Sequence, residues 1–255
     1  MTVRQRGNGV YRAAASIAHS GLALALALVA LAALPEAACA VSGEITNLSG
    51  AVIARRPDGP TRILSVRSQV DEGDLLLTAE NSFARVKFTD GGEVVLRPGS
   101  QFRIDSYKYD EKEPAGDGFV VSLLKGSMRS ITGLLARRSP ARAAYTTPTA
   151  TIGIRGTHFG ALFCNNDCGG VPTPAGGPPA NGLHIDVADG RIVVTSQGGS
   201  SEFAVGQFGF VATAATAPVQ IPANRGTRVP LPPQASSRSV PGRGVGRAGE
   251  LECAI

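Results

Sequence analysis

Tryptophan is absent from the 255 residues, and only four tyrosines and two methionines occur. Glycine and proline are plentiful, at 32 and 17, which is the balance of short strands with many turns and not of long amphipathic helices. Histidine is scarce: only His158 and His184 lie outside the first forty residues, far apart and without the paired ligand spacings of a zinc site. No G-x-S-x-G elbow and no P-loop occur. Acidic residues are missing from 212–249, which hold five arginines, whereas 41–211 balance 17 Lys+Arg against 17 Asp+Glu. The net charge of +5 therefore belongs to the ends, and the middle gives no charge argument for nucleic acid.

No apolar run is long enough to span a bilayer comfortably, where about 20 residues are expected. The longest, Gly21–Leu34, has fourteen. It follows Arg4, Arg6 and Arg12 and precedes Ala38-Cys39-Ala40, the three parts of a secretory signal. Residues 1–40 are therefore expected to be removed before Val41. Glu36 stands where a lipoprotein signal wants leucine, so Cys39 is not read as a lipid anchor. The expected product is exported, periplasmic or secreted, and does not span the membrane after cleavage.

From Val41 the chain reads as short strands cut by turns. Gly50–Arg56 and Thr61–Arg67 flank Pro57-Asp58-Gly59-Pro60. Leu75–Thr78 follows the turn Asp71–Asp74. Ser82–Phe88 alternates, with Ala84, Val86 and Phe88 on one face. Asp90-Gly91-Gly92 and Ala188-Asp189-Gly190 carry hairpin turns. Gln101–Lys108 points Phe102 and Ile104 inward, Phe119–Leu124 and Ser127–Ile131 turn about Gly126, and further strands fall within 183–212. The acid–base run Asp110–Asp117 reads as a solvated loop. Leu134–Ala144 reads as a loop with a solvent-facing basic cluster, Arg137, Arg138 and Arg142. From 213 to 255 the Pro/Ala/Arg-rich composition predicts a disordered basic tail.

Few residues offer chemistry. Cys164 and Cys168 sit four apart at the mouth of a Pro/Gly loop, and in an exported chain that spacing predicts a disulfide. Cys253 is left as an unpaired thiol. His184 and Asp186 share a strand face and could be drawn into a triad with Ser196 or Ser200, but small residues make such coincidences common. The stretch Gly244–Gly249 matches G-x-G-x-x-G without the strand and helix such a motif needs. No catalytic residue, metal or cofactor is expected.

Thr147–Phe159, TPTATIGIRGTHF, is the most distinctive stretch. Pro148 excludes a helix, Ile152 and Ile154 alternate with Gly153 and Arg155, and Gly156 permits a corner. This predicts a structural corner in which Arg155, as a buried guanidinium, satisfies several carbonyls. The stretch closely resembles the signature of the FecR family, carried here by Thr147, Pro148, Ala150, Ile152, Gly153, Arg155, Gly156 and Thr157. The resemblance extends through Gly73–Ile104 and Leu123–Gly133 and covers about 43–160. It implies an all-β, solenoid- or roll-like periplasmic domain, here over 43–212, for protein interaction or ligand sensing in envelope signalling. No cytoplasmic sigma-regulator domain is expected before the leader. The expected partner is an unidentified envelope protein, and nucleic acid is not expected. The alternatives are a structural or surface-assembly envelope protein and, behind it, a hydrolase using His184 and Asp186.

Overall fold

Short apolar alternations separated by glycine and proline turns give an almost wholly β molecule. The computed structural model describes residues 41–57 and 59–232. The leader with Cys39, the G-x-G-x-x-G match and Cys253 lie outside the described residues. The strands are β1 (Val41–Ser49), β2 (Val52–Arg55), β3 (Arg62–Ile63), β4 (Gln69–Asp71), β5 (Leu75–Thr78) and β6 (Phe83–Phe88). Next come β7 (Glu93–Leu96), β8 (Gln101–Lys108), β9 (Gly118–Ile131), β10 (Ala143–Thr146), β11 (Thr151–Ile154) and β12 (His158–Cys164). The last are β13 (Gly182–Asp189), β14 (Arg191–Ser196), β15 (Gly199–Ala204), β16 (Phe208–Val211) and β17 (Val219–Ile221). A single α-helix of the described residues, α1, spans Leu134–Arg138. Among those residues no helix is long and apolar enough to cross a membrane.

The strands pair in two runs. One layer, called A, runs β4-β1-β6-β7-β9-β12-β13-β16-β17. The other, layer B, runs β3-β2-β5-β8-β9-β10-β11-β14-β15. The long strand β9 belongs to both. Its first half pairs with β8 and, in parallel, with β10; its second half pairs with β7 and β12. Gly126 is the pivot, at φ +78°, where a Cβ would lie 2.7 Å from the Cα of Ser100. Only glycine takes that backbone without strain or collision. The glycine reads as a turn between two strands; the structure has one strand bent across two layers.

The core lies between the layers. Phe102, Ile104, Val121, Ile152 and Ile154 of layer B face Val86, Leu96, Met128, Phe159 and Ile185 of layer A, all at most 3% exposed. Rings of Phe88, Phe119, Tyr145 and Phe159 run through it in contact, with successive centroids 5.0 to 5.2 Å apart. Each such pair adds roughly 0.5–1.5 kcal/mol beyond its burial. Tyr145 also crosses between layers, its hydroxyl 2.5 Å from that of Ser130.

Four expectations need correction. The Ala188-Asp189-Gly190 turn, expected to close a hairpin, instead carries the chain from β13 of layer A to β14 of layer B, because each strand finds its partners within its own layer. Residues 134–142 are not a plain loop: α1 packs Leu135 and Ala136 into the core, and Asp90 accepts from the Leu135 amide at 3.2 Å. The acidic run is not all solvated. Asp117 is buried, accepts from Arg138 at 2.6 Å, and Arg138 lies over the Tyr109 ring at 4.6 Å. Finally, residues 213–232 are packed against the body. After β17 the chain crosses the outer face of layer A, burying Thr227 and Val229. Composition alone mistook this strap for a tail because its anchors are few and its partners lie far back in the chain.

Candidate functional site

Thr147 starts the signature by holding its own turn. Its hydroxyl donates to the Ala150 carbonyl at 2.9 Å and accepts from the Ala150 amide at 3.0 Å, with Pro148 exposed at the tip. β11 then runs between β10 and β14, sending Ile152 and Ile154 into the core. At Arg155-Gly156 the chain leaves layer B, Gly156 at φ +62°. It enters layer A as β12, after Thr157 exchanges hydrogen bonds with Thr132.

Arg155 contradicts the sequence expectation. It is exposed, and its guanidinium has no partner among the described residues. Ile152 and Ile154 point into the core, so Arg155 alternates to the outer surface. The buried arginine is Arg129, on the outward face of β9 and 8% exposed. It donates through Nε to His158 Nε2 at 2.8 Å, and through one terminal nitrogen to Asp186 Oδ1 at 2.9 Å and the Val229 carbonyl at 2.5 Å. Asp186 accepts in return from the Val229 amide at 3.0 Å. A buried ion pair thus grips both backbone groups of one strap residue.

Register explains the geometry. Gly160 on β12 sits directly between Arg129 on β9 and Asp186 on β13. A Cβ there would come 2.2 Å from Asp186 Oδ2 and 2.8 Å from the Val229 Cβ, so only glycine leaves room for the pair to join across it. Val229 packs with Leu162, Val171 and the Cys164–Cys168 disulfide, and Leu231 packs on Phe83 and Val95. The disulfide is formed as the spacing predicted and walls this pocket. Burial, then the nearby Arg129 charge, holds the His158 pKa below its ordinary value, against smaller upward pulls from Asp186 and Asp189.

The triad drawn from sequence does not assemble. His184 is buried, pairs through Nε2 with the Ala180 carbonyl at 2.8 Å and leans on Phe210. Asp186 is committed to Arg129 and Val229. Ser196 and Ser200 lie in layer B, where Ser196 donates to the Thr216 carbonyl at 2.7 Å. No group of three or more metal-ligating side chains occurs among the described residues.

Layer B has an open cleft of about 560 Å³ on its outer face. Gly153 and Val193 form its floor, Pro140 and Ala141 one wall, and Arg155, Arg191 and Glu202 its rim. Val193 is 42% exposed. Arg191 meets Glu202 at 3.1 Å, an exposed pair of little energetic weight. Sequence reasoning missed both this cleft and the Arg129 cluster. A charged residue at 129 and one at 186, each inside an apolar strand, with a bare glycine at 160, were the available signals.

Residues 74–170 match the family described as FecR protein. Two crystal structures, at 1.65 and 2.50 Å, of a candidate anti-sigma factor from Parabacteroides distasonis ATCC 8503 are similar in fold, at 13% identity and a TM-score of 0.42. The similarity covers 58% of this chain and 58% of theirs. No curated protein matches the chain. The family match includes the signature, Arg129 and both disulfide cysteines. Asp186, Arg191, Glu202 and Val229 fall beyond it.

Proposed function

We propose that this chain, with its FecR domain on residues 74–170, is a non-catalytic binding module of envelope signalling that docks a protein partner on the outer face of layer B. The observation that carries the reading is Val193, left open in a cleft on the outer face of layer B beside the family signature, whereas the strap on layer A fills its own site and leaves Val229 only 4% exposed. Exposed apolar surface beside polar rims is where partners dock. The absence of catalysis is supported by how the two candidate groups are used: His184 and Asp186 spend their polar atoms on Ala180, Arg129 and Val229. Placement in the envelope rests on the family and on the leader-like residues 1–40.

Affinity capture from an envelope extract tests this reading, using the parent chain and Val193→Glu. One envelope protein should be retained by the parent and lost by the variant at equal thermal stability. Retention of no envelope protein, or a hydrolytic turnover that disappears in His184→Ala, would overturn it.

A further inference from the structure

The rim of the layer B cleft holds positive charge that the chain does not balance. β11 and β14 pair with Ile154 opposite Ile192. The next position on each strand brings Arg155 and Arg191 to the same cleft. Like charges facing across neighbouring strands are destabilising. Glu202 is the acid in this lining and is already 3.1 Å from Arg191. Arg155 is exposed and has no partner among the described residues, and the same is true of Arg137 on α1. The Arg137 side chain runs alongside, its Cγ 3.8 Å from where a Gly156 Cβ would sit. The other two arginines of that segment are engaged, Arg138 with Asp117 and Arg142 with the Ala115 carbonyl.

The surroundings select the kind of anion. The floor is apolar, Gly153 and Val193 beside Pro140 and Ala141, so an occupant brings apolar contact as well as charge. No aromatic ring lines the cleft to stack a sugar. Glu202 on the rim opposes a uniformly anionic polymer. Alongside lies a row of hydroxyls, Thr151, Thr195 and Ser200, in register across β11, β14 and β15 and exposed. Hydroxyls can donate or accept, which suits the alternating groups of a peptide backbone.

We propose that this cleft docks an acidic, apolar-containing peptide segment of the protein partner, with a carboxylate against Arg155 and Arg137 and an apolar side chain on Val193. This rests on the partner-binding reading above and names the chemistry of its site. Arginine is suited to the task, because its planar fork meets a carboxylate with two hydrogen bonds.

The probe is a fluorescein-labelled octapeptide alternating Glu and Val, compared with its Gln-for-Glu counterpart and with polygalacturonate as competitor. The chain should bind the Glu peptide at least about tenfold more tightly than the Gln peptide, with affinity falling as salt rises. Arg137→Ala/Arg155→Ala should lose about tenfold or more while melting like the parent, since both side chains are exposed and unpaired. Val193→Ser should weaken the Glu peptide as well. Equal binding of the two peptides, undiminished binding by the double variant, no peptide binding, or displacement by polygalacturonate at equal carboxylate concentration would each overturn the proposal. The envelope-capture experiment separates the two levels. A partner retained equally by parent and double variant sinks this site and leaves the partner-binding reading standing; no partner with either sinks the reading itself.

Discussion

Arg129 and Asp186 meet across the backbone of Gly160, guanidinium to carboxylate at 2.9 Å, each residue less than a tenth exposed. Together they hold the Val229 carbonyl and amide, and so tie residue 229 to strands laid down 100 and 43 positions earlier. Removing one partner of a buried pair strands the other charge and costs about 3–5 kcal/mol. Asp186→Ala should therefore lose about 3–5 kcal/mol in urea denaturation, and Arg129→Ala a similar amount. The double variant Arg129→Met/Asp186→Leu should recover most of that loss, because neither charge is left buried. A double variant no more stable than the single ones would show that the grip on Val229, and not charge pairing, dominates.

Gly160→Ala probes the same place from the backbone. The new Cβ would meet Asp186 Oδ2 at 2.2 Å and Val229 at 2.8 Å, so either the carboxylate turns away or the strap lifts. Overpacking of this kind costs about 1–3 kcal/mol. The expected signature is faster amide exchange at residues 227–231, with β11 and β14 protected as in the parent. Unchanged exchange at Val229, whose amide donates to Asp186 Oδ2, would mean that neither the carboxylate nor the strap gives way.

Much of the fold was legible in local pattern. Alternation at 83–88, the Asp-Gly turn at 90–91 and the inward Phe102 and Ile104 reappear as β6, the β6–β7 hairpin and core, whereas the turn at 189–190 carries the chain from β13 of layer A to β14 of layer B. Those signals are local, because a strand's burial period and a turn's glycine are written within a few residues. The two arginines show where such reasoning ends. Arg155 looked buried and is exposed; Arg129 looked unremarkable and is buried. What decides between them is which outer face the strap covers, and the strap's composition carries no trace of its docking. Asp117 shows the same limit, since its carboxylate is paired by Arg138 from α1, 21 positions further on.

The exposed Arg155 gives a sharp contrast in stability. Its side chain makes no hydrogen bond or ion pair among the described residues, so Arg155→Ala should stay within about 0.5 kcal/mol of the parent. Thermal melts of the two at neutral pH suffice as the measurement. A clear loss of stability would restore the structural role that its exposure argues against.

The Cys164–Cys168 bridge closes a short ring, so its entropic contribution is modest, about 2 kcal/mol in the chain-entropy model. Both cysteines are also part of the Val229 pocket, at 1% and 7% exposure. Cys164→Ser/Cys168→Ser should therefore lower stability by about 2 kcal/mol and loosen the strap together with the loop. Amide exchange that rises only in the loop, with Val229 unchanged, would separate the pocket from the bridge.

Acid should loosen the strap through His158. Its Nε2 accepts from Arg129 Nε at 2.8 Å, so the neutral ring carries its proton on Nδ1. Protonating Nε2 would set one donor against another, next to the guanidinium that grips Asp186 and Val229. Burial is the largest cause of the lowered His158 pKa and Arg129 the next, while Asp186 and Asp189 pull it up less strongly. Burial lowers His184 in the same direction. In the unfolded chain both rings titrate near 6.5. Well above that pH neither state binds the proton and these groups contribute no pH dependence. Below it the unfolded chain takes up protons that the folded chain resists, so stability falls as pH drops from about 6.5 towards the lowered folded values. His158→Gln offers a side-chain oxygen to Arg129 without titrating. Urea midpoints at pH 8 and pH 5, at one ionic strength, should drop further for the parent than for His158→Gln. Part of the drop should persist in the variant because His184 remains, and adding His184→Gln should flatten it further. Equal drops in parent and His158→Gln would show that the contact with Arg129 does not sense protons.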